Sequence, residues 1–143
     1  MATRNGSAEW RGDLQSGEGS LSVGSGLFSG AYSFKTRFEE EPGTNPEELI
    51  AAAHASCFSM ALSNILSEAG HVPESVATTA KVHLRMVDGA PTISQIDLET
   101  KGQVPGIDQQ QFADFANQAK KGCPVSKALA GVPEMTLEAT LAG

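Results

Sequence analysis

From Pro46 to Ala69 the chain carries one uninterrupted helical pattern, sharply started and sharply stopped, and this long apolar segment limits what the rest can form. Asn45 is a good N-cap, Pro46 falls at the first helical position where its missing N–H is harmless, and Asn45 with Glu48 resembles a capping box. Gly70 supplies a left-handed stop, and Pro73 blocks continuation. Leu49, Ile50, Ala53, Phe58, Met60 and Leu62 leave no broad polar face, which predicts a helix buried nearly all round. Its many alanines let other backbones approach closely. One thiol, Cys57, falls midway along it, in or beside a core.

A chain of 143 residues and 14.9 kDa reads as one domain over 7–143, preceded by a loose tail at 1–6. Lys and Arg number 10 against 17 Asp and Glu, a net charge of −7 that argues against nucleic acid and anionic membrane as partners. The first residues lack a run of signal-peptide type, and no stretch approaches the ~20 apolar residues of a spanning helix, so a cytoplasmic location is expected. The 2 cysteines are too few for a secreted disulfide framework. In a reducing cytosol such a pair more often does redox or catalytic chemistry than stapling.

Around the long helix the pattern predicts a mixed α+β chain. Glycine-punctuated strands are expected near 7–13, 19–23 and 31–38, the last because Tyr32, Phe34, Thr36 and Phe38 alternate with Ser33, Lys35 and Arg37. Ala80, Val82, Leu84 and Met86 alternate ahead of Asp88-Gly89, a hairpin signal, and Ile93, Ile96 and Leu98 belong to the partner strand. Asp108 with Gln111 marks another capping box before Phe112, Phe115, Ala116 and Ala119, with Gly122 ending that helix. Cys123-Pro124 opens a short helix at about 124–130, and Met135, Leu137, Ala139 and Leu141 alternate as a closing strand.

Four residues carry candidate chemistry. Cys57 reads equally well as a small core residue, since free cysteine is among the most buried types. Cys123 precedes a helix-starting proline, where unpaired N–H groups favour a thiolate, and Lys120 and Lys121 add positive charge; the plain alternative is a tolerant cap position. Arg37 on a strand is most simply an edge charge, and Glu47 at the second helical position is favoured by the macrodipole alone. An arginine near a thiol would, however, stabilise the thiolate that attacks peroxide, and a carboxylate would hold that arginine. Ten residues separate Glu47 from Cys57, about 15 Å along a helix axis, so a bridge is needed, either Arg37 or a second copy of the chain. His54, three residues before Cys57, invites a Cys–His dyad reading for acyl transfer, against the plainer one of a packed histidine with one satisfied ring nitrogen. With 3 His and 2 Cys, none at close ligand spacing, no bound metal is expected.

The runs Thr44-Asn45-Pro46-Glu47-Glu48-Leu49, Ala52-Ala53-His54-Ala55, Cys57-Phe58-Ser59-Met60-Ala61-Leu62 and Gly122-Cys123-Pro124-Val125-Ser126 resemble the OsmC branch of the OsmC/Ohr family. Trp10-Arg11-Gly12-Asp13, Phe34-Lys35-Thr36-Arg37-Phe38 and Val104-Pro105-Gly106-Ile107-Asp108 extend the likeness over nearly the whole chain. The resemblance implies an α+β fold with antiparallel strands wrapped around a long buried central helix in an intertwined homodimer. It implies a thiol peroxidase of stress defence reducing organic hydroperoxides, with hydrogen peroxide as a further substrate. Cys57 would then be the peroxidatic cysteine, Cys123 the resolving one, and Arg37 and Glu47 the activating pair. No cofactor is implied beyond an external dithiol reductant, a dihydrolipoyl group on a lipoylated protein. The competing expectation is a non-enzymatic stress-related binding protein with structural cysteines.

Overall fold

The structure is a computed structural model and describes residues 2–142. Packing divides the chain into two compact units, one up to Leu49 and one from Ile50, with the boundary inside the long helix.

The first unit opens with β1 (Gly6–Arg11), β2 (Glu18–Val23) and β3 (Ser29–Tyr32), an antiparallel sheet in that order. Gly6, the last residue of the predicted tail, already pairs with Val23. The third predicted strand ends early, because Phe34–Phe38 forms helix α1 instead. Ser33 caps it: its Oγ accepts the Thr36 N–H at 3.2 Å, while Thr36 Oγ1 accepts the Ser33 N–H at 2.8 Å. Two capping bonds outweigh a short alternation, and Phe34 and Phe38, one turn apart, bring their ring centroids to 4.9 Å.

Helix α2 (Pro46–Glu68) begins where the caps predict. Asn45 Oδ1 accepts the Glu48 N–H at 2.8 Å, but Glu48 does not complete the box; its carboxylate accepts from Thr44 Oγ1 at 2.9 Å. Asn45 Nδ2 donates to the Thr36 carbonyl at 3.0 Å, tying the end of α1 to the start of α2. The helix closes in a Schellman motif: Gly70, at φ 88°, gives its N–H to Ser67 and His71 gives its N–H to Leu66, at 3.0 and 2.8 Å.

In the second unit β4 (Ser75–Val87) and β5 (Ala90–Gln103) form the predicted hairpin, with Asp88 and Gly89 both at positive φ. Helix α3 (Gln109–Gly122) starts on the predicted Asp108–Gln111 box, α4 is Pro124–Ala128, and β6 (Glu134–Leu141) closes the chain. Strand β5 is central, and β6 pairs with it in parallel, the one parallel pairing beside the antiparallel ones among the described residues. The physical reason is the connection: α3 and α4 carry the chain back to the start of the sheet, the crossover that parallel pairing requires.

One stripe of α2, Phe58, Leu62 and Leu66, packs with Leu98, Val104, Phe112, Ala116, Ala119 and Cys123 to form the core of this unit. Ser59 Oγ donates to Thr78 Oγ1 at 2.7 Å, fastening the helix to the sheet. The helix is therefore not buried all round within one chain: His54, Phe58, Leu62 and Leu66 are sealed, whereas Ala52, Ala53, Ser56 and Met60 are exposed, Met60 at 76%. By length and composition alone α2, with a mean hydropathy of 1.5 over its most apolar 18 residues, is also apolar enough to cross a membrane, contrary to the expectation that no stretch comes near. Its packed stripe identifies it as a core helix.

Gly102 on β5 lies against the ring of Phe112, where an added Cβ would come within 2.4 Å of a ring carbon. Phe112 is fully buried and has nowhere to go. Gly102→Ala should therefore destabilise the fold by roughly 1–3 kcal/mol, read as a lowered midpoint in urea with an unchanged slope.

Candidate active site

The two thiols meet in the second unit. Cys57 projects half-buried from the middle of α2, and Cys123, fully buried, is the residue at which α3 ends and α4 begins. Their sulfurs are 3.0 Å apart and both are free thiols. That is about 1 Å beyond a disulfide bond length, so the pair can be oxidised with little movement of either sulfur.

Local sequence explains the meeting. Pro124 at the first position of α4 breaks α3 without a loop, and the Cys123 N–H closes α3 on the Ala119 carbonyl at 2.8 Å while its carbonyl accepts from Lys127 at 3.0 Å. Cys123 is thereby fixed by backbone bonds on both sides. Val125 and Ser126 follow in the first turn of α4 as neighbouring donors, but neither caps the Cys123 sulfur with a hydrogen bond.

These donors divide the ionisation unequally. Burial and the hydrogen bond with Cys123 push the Cys57 thiol above its ordinary value, against the Val125 N–H. Burial also disfavours the Cys123 thiolate, but the Cys57 thiol and the polar groups of Ser126 and Val125 outweigh it and hold that thiol below its ordinary value. Within this unit the balance favours the Cys123 thiolate, and the expectation of a thiolate on Cys57 rests on Arg37.

His54, one turn before Cys57, is sealed from solvent. Its Nε2 lies 2.7 Å from Ser126 Oγ, and Nδ1 has no partner among the described residues. Burial lowers its pKa and keeps the ring neutral near pH 7. This is the packed histidine with one satisfied nitrogen, and its partner is Ser126. The sequence reading passed over Ser126; the signal available was the repeated spacing of three, His54 to Cys57 on one helix and Cys123 to Ser126 on the next.

Arg37 and Glu47 come together in the first unit, on α1 and the first turn of α2. Arg37 donates from Nε and Nη2 to the two carboxylate oxygens at 3.0 Å each, a bidentate fork. The Glu47 side chain is only 8% exposed and that of Arg37 37%. Arg37 also lies over the Phe38 ring, 5.4 Å from its centroid. A pocket of about 410 Å³ adjoins the fork, lined chiefly by Trp10, Leu14, Tyr32, Phe34 and Phe38. Phe34 lines this pocket, whereas Phe58 belongs to the core and Met60 to the exposed side of α2. Thus the sequence-predicted residues form two pairs, one in each unit. Among the described residues no group of three or more His, Cys, Asp or Glu comes together as a metal site.

The family described as OsmC-like protein matches residues 38–138. Peroxiredoxin OsmC of Escherichia coli is 51% identical over 136 residues, 94% of this chain and 94% of its own. The organic hydroperoxide resistance protein of Xanthomonas axonopodis pv. citri is 31% identical over 96 residues, 66% of each chain. In fold, the crystal structure of the organic hydroperoxide resistance protein OhrB of Bacillus subtilis matches with a TM-score of 0.72 at 24% identity, covering 96% of this chain and 98% of that one. With a thiol pair in contact and a family match over most of its length, the chain belongs to the OsmC/Ohr family, on its OsmC branch.

Proposed function

We propose that this protein is a cysteine-based peroxidase of stress defence that reduces organic hydroperoxides, with Cys57 as the attacking thiol and Cys123 as the resolving one. The observation that carries the reading is the contact of two reduced sulfurs at 3.0 Å, one half-buried and one sealed. Only the half-buried sulfur is open to a substrate from solvent.

The Cys57 thiolate attacks the terminal oxygen of the hydroperoxide; an S–O bond forms, the O–O bond breaks, and the alkoxide leaves as the alcohol after taking a proton. Cys57 is then a sulfenic acid. The Cys123 thiolate attacks that sulfur, expelling hydroxide, which leaves as water, and the disulfide closes. An external dithiol of the dihydrolipoyl type, carried on a lipoylated protein, supplies two electrons and two protons to reopen it.

Arg37 supplies the positive charge that moves ionisation from Cys123 to Cys57 and donates to the developing alkoxide, while Glu47 holds the guanidinium in register. Residues 7–143 act as one OsmC-like domain behind a short tail, in the cytoplasm, and the working form is an intertwined homodimer. The exposed side of α2 supports that assembly: the most apolar 18-residue window of this 23-residue helix has a mean hydropathy of 1.5, yet only 22% of it is buried within one chain.

The test is to add one equivalent of cumene hydroperoxide to the reduced protein and count thiols. A peroxidase loses both and recovers both with a dithiol; a binding protein keeps both throughout. In Cys123→Ser the first oxidation should proceed but stop at the sulfenic acid, and excess hydroperoxide should carry it on to the sulfinic acid, a gain of two oxygens in the intact mass. An intact mass unchanged by excess hydroperoxide would remove Cys57 from this role.

A further inference from the structure

We propose that the hydrogen bond between His54 and Ser126 is a redox-silent rung between α2 and α4 that holds Cys123 opposite Cys57, and so decides whether the oxidised thiol closes to a disulfide or is oxidised further. This rests on the peroxidase reading above and concerns two residues which that reading does not use.

The geometry is that of a two-rung ladder. His54 stands three residues before Cys57 on α2, and Ser126 stands three residues after Cys123. His54 Nε2 lies 2.7 Å from Ser126 Oγ, and the two sulfurs lie 3.0 Å apart. The pairs therefore fall at matching steps of two segments that run in opposite directions, and three residues on α2 is about one turn, so the rungs are neighbours on one face. Among the described residues they are the two polar side-chain links that join α2 to α3 and α4. One of them is made and broken by redox chemistry. The other is not.

Helix α4 needs such a link. Its five residues are too few to hold their own position. Upstream it is tied to α3 through the Cys123 N–H on the Ala119 carbonyl, and Val125 packs against the core. Apolar packing is non-directional and does not by itself set where α4 stops along α2. A 2.7 Å hydrogen bond does, and with His54 at 0% and Ser126 at 6% exposure no solvent competes for it. The rung also has a cost that packing alone would not require. Nδ1 of His54 is buried with no partner among the described residues, a loss that an aliphatic side chain at this position would avoid. What the imidazole adds in return is direction.

The rung acts at the fork in the cycle. When Cys57 is a sulfenic acid, the Cys123 sulfur must approach opposite the S–O bond: its electron pair forms the S–S bond, the S–O bond breaks, and hydroxide leaves and takes a proton to become water. In competition, a second hydroperoxide molecule transfers its terminal oxygen to the same sulfur, leaving a sulfinic acid and an alcohol. The first route depends on how often Cys123 stands in line, the second on hydroperoxide concentration. Closure needs the sulfurs to approach by about 1 Å, and a misplacement of that size costs such a step on the order of 10²-fold. His54 and Ser126 touch neither hydroperoxide nor dithiol; they are positioning residues.

The test mixes each reduced variant with rising cumene hydroperoxide, and intact mass gives the concentration at which half of the protein ends as sulfinic acid instead of disulfide. That half-point reads only the competition at the sulfenic acid, whatever the rate of the first oxidation. It should fall roughly tenfold in Ser126→Ala, less than the full loss because Val125 and the backbone bonds of Cys123 remain. His54→Leu should fall equally. Since His54 makes no hydrogen bond to either sulfur among the described residues, that equality separates the rung from a direct effect of the Ser126 hydroxyl on its neighbour. The double variant should be no worse than either single one, the mark of one shared interaction. Ser126→Thr and His54→Gln, which keep a hydroxyl and an amide N–H, should stay near the parent. Gly102→Ala, destabilised elsewhere in the same unit, should lower the urea midpoint and leave the half-point in place. An unchanged half-point in Ser126→Ala, or an equal fall in Gly102→Ala, would overturn the proposal. Equilibration with glutathione redox buffers reads the same juxtaposition without hydroperoxide: in Ser126→Ala the disulfide should form about tenfold less favourably, a reduction potential higher by about 30 mV. A parent that ignores hydroperoxide while this difference persists would remove the peroxidase reading and uphold the rung.

Discussion

Cys57→Ser is expected to abolish hydroperoxide turnover, by at least about a thousandfold, while the fold and assembly persist. A hydroxyl in place of this sulfur is isosteric enough to keep the packing of α2, because Cys57 lies at the margin of the core and not at its centre. It is not a nucleophile for peroxide at neutral pH. Cys123 cannot take over, since it is fully buried behind its partner. The measurement is steady-state consumption of cumene hydroperoxide with a dithiol donor, together with thermal melting and sedimentation. Retained turnover in a folded variant would place the chemistry elsewhere.

The second large effect is expected at Arg37. Arg37→Met should lower the rate of the first oxidation by on the order of 10²–10³, the loss associated with removing a directed donor from developing negative charge. Its signature is in the pH profile: without the guanidinium the ionisation of Cys57 moves up, so the rate of sulfenic acid formation rises with pH over a range where the parent is already level. Arg37→Lys should not rescue, because an ammonium cannot make the two-point fork to Glu47. Glu47 is buried and would be left as an unpaired carboxylate, so stability should fall as well. The double variant Arg37→Met, Glu47→Gln should recover much of that stability and none of the activity. Stopped-flow oxidation against pH, with urea unfolding beside it, separates the two effects, and a rate that follows stability across the three variants would make Arg37 a structural residue only.

These expectations join parts of the chain that were unequally legible. The ends of α2 and α3 were readable because caps are local: Asn45, Gly70 and the Asp108–Gln111 pair satisfy backbone groups within a few residues of themselves. The hairpin was readable for the same reason, its turn residues tolerating positive φ at Asp88 and Gly89. Residues 34–38 misled because Phe34 and Phe38 satisfy a strand period and a helix period alike over so short a span, and the reciprocal bonds of Ser33 and Thr36 decide between them. The sealed histidine was suspected, but its partner could not be found from one strand of sequence, since Ser126 lies on another helix and meets it only through tertiary packing.

By itself the sequence determined the long helix and its limits, the α+β alternation around it, and the presence of a thiol at a proline-started helix, all properties set within a few residues. Only the tertiary structure decided that β6 runs parallel to β5, that Cys57 and Cys123 meet at 3.0 Å, and that one face of α2 is left uncovered. The physical reason is that burial and ionisation are properties of neighbourhoods. An alanine-rich helix states that it must be covered, and a cysteine that it can ionise; which groups do the covering and the donating is written in the packing of distant segments.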